Sequence, residues 1–148
     1  MSWVEDRLEI LDLLARYSHA ADGSEPSAYA DCFTDDGIFQ GRVGMPDAMK
    51  VEGREGLLKW AGALMRNRDG QNRHIQTNTV FDEQGPDRAV TRTYLLVMRT
   101  SGSSAPEPGL TSVYRDEIVR TPLGWRIKRR QALPDRQGVL PRPLRENQ

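Results

Sequence analysis

The chain has 148 residues, enough to bury the core of one domain. Its 21 basic and 21 acidic residues cancel, which removes the positive excess that a phosphate backbone attracts and argues against a nucleic-acid partner. A single cysteine, Cys32, excludes an internal disulfide and suits a reducing cytoplasm.

The first periodic segment is "VEDRLEILDLLARYSHAADG". Val4, Leu8, Leu11, Ala15 and Ser18 recur at helical spacing, and Ile10, Leu14, Tyr17 and Ala21 widen the stripe. This predicts an amphipathic helix stopped at Gly23. A short second helix follows in "SEPSAYADCF", with Ser24 as its cap, Pro26 in its first turn, and Tyr29, Cys32 and Phe33 on its apolar side. "TDDG" reads as a turn, "IFQG" as a short strand and "RVGMPDAMKVEG" as an irregular connection. Helical spacing returns in "REGLLKWAGALMRN" through Leu57, Leu58, Trp60, Ala61, Leu64 and Met65.

From residue 73 the texture changes. "RHIQTNTVFD", "RAVTRTYLLVMRT", "LTSVYRDEIVR" and "GWRIKRRQAL" are rich in β-branched and aromatic residues and are separated by turn-forming stretches. Four strands joined by short links imply an antiparallel meander. Helices followed by strands make an α+β domain, with the helices on one side of the sheet. It is expected to span residues 1–134, and the proline-rich residues 135–148 to form a strap or tail.

Strand side chains alternate. His74, Gln76 and Asn78 therefore share a face, as do Ser112, Tyr114, Asp116 and Ile118, and as do Trp125, Ile127 and Arg129. A face that mixes apolar and polar groups suits a ligand cavity better than a dry core. Patterning leaves His74 as either a hydrogen-bonded strand residue or a base, and Asp22 as either a helix-end residue or its partner. There is no HxxxH, HxH or CxxC and no glycine-rich nucleotide loop, so neither a metal nor a cofactor is expected. No basic-plus-apolar leader and no apolar run of membrane-spanning length is present, so no membrane partner is expected.

The order of "ILDLLARYSHAADG", "YADCFTDDGIFQG", "EGREGLLKWAGAL", "RHIQTNTVF" and "YRDEIVRTPLGWRIKRR" resembles the SnoaL-like branch of the nuclear transport factor 2-like superfamily over about residues 4–132. The resemblance implies a cone-shaped, strongly curved antiparallel sheet, a half-barrel packed around the N-terminal helices with an internal pocket. Scytalone dehydratase, bile-acid 7α-dehydratase, polyketide cyclases and ketosteroid isomerase share that fold, and so do non-catalytic members. In the dehydratases an aspartate after the first helix pairs with a histidine opening an "HxxxN"-like strand, and Asp22 and His74 stand at those places. Tyr17 matches a tyrosine five residues before the aspartate. A pocket arginine on the last strand corresponds to Arg129 or, with a one-residue shift, Arg130; alternation favours Arg129.

The resemblance thus implies Asp22, His74 and Tyr17 as catalytic residues, with Arg129, Asn78, Phe39, Trp60 and Tyr114 binding substrate. It implies a cofactor-independent lyase or isomerase of dehydratase type, acting on a mostly apolar ring compound: aromatic, polyketide or steroid-like. The alternative is a non-catalytic ligand-binding or assembly domain. A homodimer or homotrimer, associated through the outer sheet face, is also implied.

Overall fold

The computed structural model describes residues 2–102 and 105–135. Three helices precede most of the sheet: α1 (Trp3–Gly23), α2 (Pro26–Asp31) and α3 (Gly53–Arg66). The strands are β1 (Phe33–Gly41), β2 (Met49–Glu52), β3 (Gln71–Gln84), β4 (Arg88–Thr100), β5 (Glu107–Thr121) and β6 (Gly124–Pro134). They form one curved, unclosed sheet in the order β2-β1-β6-β5-β4-β3, the expected α+β half-barrel with helices packed inside its curve.

The strands depart from the sequence reading. The "TDDG" segment is strand, not turn, and part of the irregular connection forms β2, which pairs antiparallel with β1. The sheet is also not purely antiparallel. The meander β3-β4-β5-β6 is antiparallel, but β1 lies parallel to β6.

A capping box starts α1: the Ser2 hydroxyl accepts from the Glu5 N–H, and the Glu5 carboxylate accepts from the Ser2 N–H. Its inward residues are Ile10, Leu13, Leu14 and Tyr17, with the polar Asp6, Ser18 and Asp22. Of the predicted stripe, Ile10, Leu14, Tyr17 and Ser18 are buried, but the row of Val4, Leu8 and Leu11 is 57%, 63% and 41% exposed. Both rows have the right period, and periodicity alone does not say which one meets the sheet. At the other end Ser24, rather than Gly23, adopts the left-handed conformation that ends α1, so it closes the first helix and does not cap the second.

Among the described residues no helix is long and apolar enough to cross a membrane. The C-terminal strap expected from residue 135 onward lies, apart from Asp135, outside the described residues.

Candidate active site

Strand β3 is a sheet edge, so alternate backbone N–H groups face away from β4 and need another partner. Helix α1 lies along that edge and supplies part of the answer. The Gln76 side chain anchors the helix, its Nε2 donating to the Leu14 carbonyl and the Ser18 hydroxyl, both at 2.7 Å. Nearer the end of α1, the buried Asp22 carboxylate meets His74. One oxygen accepts from the His74 backbone N–H at 2.8 Å, and the other lies 2.6 Å from Nδ1 of its ring. A carboxylate can only accept, so Nδ1 carries a proton, and in the neutral ring Nε2 is the acceptor. Asp22 and His74, 52 residues apart in sequence, are therefore brought together as expected.

His74 stands on the wall of a cavity of about 690 Å³, a size suited to a ligand of a few fused rings. Paired strands build its floor in rows: Leu95 beside Ser112 and Pro134, and Tyr114 beside Ala132. Phe39 from β1 and Trp60 from α3 face each other with ring centroids 4.8 Å apart. Tyr29 joins them, its ring 5.9 Å from Trp60 and 4.8 Å from Tyr17. Tyr17, Phe39, Trp60 and Tyr114 all line the cavity, as does Tyr29, which the sequence reading had placed only on an apolar helix side. His74 also borders a second cleft of about 250 Å³ between α1 and β3, lined by Leu11, Ala15, Ser18 and His19 among others.

The arginine assignment is corrected. Lys128 is an extra residue in β6, because Ile127 pairs with Ile118 and Arg129 already pairs with Glu117. The bulge turns Arg129 outward, where it is exposed, and Arg130 inward, where it is fully buried. Even so, Arg130 does not line the cavity. Its guanidinium donates to both Asp116 oxygens, at 2.8 and 2.7 Å, and lies 4.0 Å and 4.1 Å from the ring centroids of Tyr17 and Tyr114. Burial opposes its charge, but Asp116, by attraction and hydrogen bonding, raises the Arg130 pKa above its ordinary value.

Asn78 is corrected too. Thr77 pairs with Tyr94 and Val80 with Arg92, so Asn78 and Thr79 together oppose Thr93. Asn78 takes a left-handed φ of 54° at this bulge and points to solvent. Asparagine tolerates that conformation better than most residues, which explains its place in "HIQTN" without a role in binding.

The Tyr17 hydroxyl lies 3.1 Å from that of Tyr29. Burial pushes the pKa values of Tyr17, Tyr29 and Tyr114 above that of free tyrosine, overriding the opposite pull of Arg130. All three phenols hold their protons and act as neutral hydrogen-bonding groups. Two polar atoms on the cavity wall, Ser112 Oγ and Asn72 Oδ1, are buried without a partner. Sequence reading placed Ser112 on the inward face but did not single it out. Asn72 carried a signal of its own, standing two residues before His74 on the same strand face. Among the described residues no group of three or more His, Cys, Asp and Glu is placed to hold a metal ion.

Residues 3–131 match the SnoaL-like domain family. The chain belongs to that family. Solved structures similar to this SnoaL-like domain have the NTF2/cystatin-like fold. A protein of unknown function from Mycobacterium tuberculosis is 28% identical, with a TM-score of 0.81, covering 92% of this chain and 75% of that one. An NTF2-like protein from Novosphingobium aromaticivorans is also 28% identical, with a TM-score of 0.76 and coverage of 92% and 85%. A third, from Catenulispora acidiphila, was solved in complex with S-DNPA; it is 28% identical, with a TM-score of 0.75 and coverage of 87% and 92%. No curated protein matches the sequence of this SnoaL-like domain.

Proposed function

We propose that this SnoaL-like domain is a cofactor-independent lyase or isomerase that removes a proton from a mostly apolar ring compound. The observation that carries the reading is the 2.6 Å contact between Asp22 and the His74 ring, on the wall of an aromatic-lined cavity. Asp22 fixes the tautomer and stabilises the imidazolium formed when Nε2 takes a proton next to a carbonyl or a leaving group. The electrons then expel the leaving group, shift a double bond or close a ring. Such help accelerates a reaction by about 10²–10⁴-fold. Neutral tyrosine hydroxyls in the wall suit a developing enolate oxygen, and the bound S-DNPA of one structural neighbour supports a small-molecule ligand in this fold.

Catalysed hydrogen exchange tests this without a known substrate. Cyclic and aromatic ketones such as tetralone, incubated with the protein in deuterated water, should gain deuterium beside the carbonyl faster than in buffer. His74→Ala should abolish the gain while Trp60 fluorescence still reports binding. Binding with no exchange above the His74→Ala level would overturn the catalytic reading.

One observation favours a second reading, a non-catalytic ligand-binding domain. Tyr17, expected to be catalytic, is already bonded to Tyr29, and Arg130, the alternative to Arg129 as pocket arginine, is bonded to Asp116 away from the cavity. The exchange experiment separates the two readings. We further infer a homodimer or homotrimer in the cytoplasm, associated through the outer sheet face, where Ile75 and Tyr94 are exposed beside half-buried Leu96 and Val113. Analytical ultracentrifugation tests the association, and Tyr94→Lys should weaken it.

A further inference from the structure

Helix α1 has no basic residue in its last turn, and the last carbonyls of any helix lack partners within it. The Ala20 carbonyl is taken by the backbone N–H groups of Ser24 and Glu25. The next two are taken from elsewhere in the chain. Arg68, between α3 and β3, donates through Nη1 to the Ala21 carbonyl at 3.0 Å and through Nη2 to the Asp22 carbonyl at 3.0 Å. The same Nη2 lies 2.8 Å from the Ser24 hydroxyl. The Gln71 amide adds a bond to the Asp22 carbonyl at 3.0 Å.

All three acceptors of Arg68 lie within one turn of Asp22. That residue is consequently gripped on both sides: its carbonyl by Arg68 and Gln71, its carboxylate by His74. Arg68 is in turn fixed by the short link that carries it. Gly70, at φ +77°, turns the chain into β3 so closely under β4 that a Cβ there would lie 2.0 Å from the Thr100 carbonyl oxygen. Arg68 borders the large cavity, but every hydrogen bond its guanidinium makes among the described residues goes to this helix end.

We propose that Arg68 is a positioning residue for the Asp22–His74 pair. Its guanidinium holds the end of α1 so that the Asp22 carboxylate reaches His74, and it acts through Asp22 without a role in the chemistry. This rests on the dyad reading above, but it concerns how the dyad is held, and two separate signals report on it. A strongly low-field proton resonance is expected from the His74 Nδ1–H, assigned by its loss in Asp22→Asn. The His74 backbone amide, bound to the other Asp22 oxygen, reports by its hydrogen exchange.

In Arg68→Met the fold should persist by circular dichroism. The low-field resonance should be lost, and the His74 amide should exchange about tenfold faster, the effect of losing one hydrogen bond to a charged group. Arg68→Lys should recover part of both signals. An Arg68→Met protein that keeps both unchanged overturns the proposal, since a merely structural cap would leave them intact. If Arg68→Met does not fold, Arg68→Lys decides: it keeps the charge but loses the planar two-nitrogen geometry, so unchanged signals there also overturn the proposal. Absence of the low-field resonance in the unaltered protein would instead count against the dyad. The amide would still report on Arg68 in that case.

Discussion

Asp22 binds His74 twice, with one oxygen on the ring and the other on the backbone N–H of the same residue. The second bond fixes the first, because the carboxylate cannot swing away from the imidazole without giving up the edge-strand amide. Asp22→Asn should therefore do more than remove a charge. Its amide NH₂ would face Nδ1, forcing the ring proton onto Nε2 and blocking the base. Deuterium exchange should fall about 10²–10⁴-fold, and denaturation should show a loss of about 1.5–3 kcal/mol, the worth of a hydrogen bond to a charged group. Unchanged exchange in a folded Asp22→Asn protein would sink the dyad.

The buried pair Arg130–Asp116 makes a different prediction. Arg130→Met alone leaves a carboxylate in the core and should cost about 3–5 kcal/mol in urea denaturation. The double variant Arg130→Met, Asp116→Leu should recover most of that loss, because a packed apolar pair needs no charge compensation. A double variant no more stable than the single one would show that contacts of Arg130 with the Tyr17 and Tyr114 rings dominate.

The three buried tyrosines set an alkaline limit. Burial raises the folded-state pKa values of Tyr17, Tyr29 and Tyr114 above the unfolded value, so above that value the folded chain keeps protons that the unfolded chain has released. Stability should be complete below about pH 10 and then fall by about 1.4 kcal/mol per pH unit for each tyrosine. Tyrosinate absorbance, followed against circular dichroism, checks this. These three should ionise only as the fold is lost.

Ser112 Oγ is buried without a hydrogen-bond partner, which costs stability of about 1–3 kcal/mol. Ser112→Ala should thus match or exceed the original protein in thermal melts. It should bind the ketone tetralone less tightly while binding the hydrocarbon tetralin equally well, as read by Trp60 quenching. Equal loss for both ligands would mean that the hydroxyl contributes only to cavity shape.

At the bulge of β3, Asn78→Gly should leave stability within about 1 kcal/mol, since glycine takes the left-handed conformation freely. Asn78→Val should cost about 1–2 kcal/mol, because a β-branched side chain crowds the backbone in the left-handed region and lacks the local hydrogen bonding that lets asparagine tolerate it. Both should keep ligand binding, because the side chain faces solvent. Loss of binding in a fully folded Asn78→Gly protein would return Asn78 to the site.

Much of this arrangement was legible in the sequence, and the failures share a cause. Asp22, His74, Tyr17, Phe39, Trp60 and Tyr114 were all named, but through the family resemblance, since patterning alone left Asp22 and His74 open. Arg129 and Asn78 were misplaced because each follows or occupies a bulge, at Lys128 and at Asn78 itself. One inserted residue reverses every later side chain on a strand, and alternation read from sequence carries no mark of it. The rows of α1 show the same limit. Val4, Leu8 and Leu11 have the right period, but the capping box and the bond from Arg120 to Asp6 at 2.6 Å turn the neighbouring row inward. Arg68 reaches across 46 or 47 residues to the end of α1, which no local pattern announces, and the Arg130–Asp116 pair on adjacent strands is hidden by the same bulge at Lys128.

The imidazole of His74 has two neighbourhoods, the large cavity and the smaller cleft between α1 and β3. A ligand that fills the cavity closes only one of them. On the proposed mechanism, water reaching the ring through the cleft would let a proton taken from the ligand pass to bulk solvent while the ligand stays bound. Such an enzyme would work like a vessel with a vent: what enters by the mouth and what leaves as hydrogen ions would not share a route.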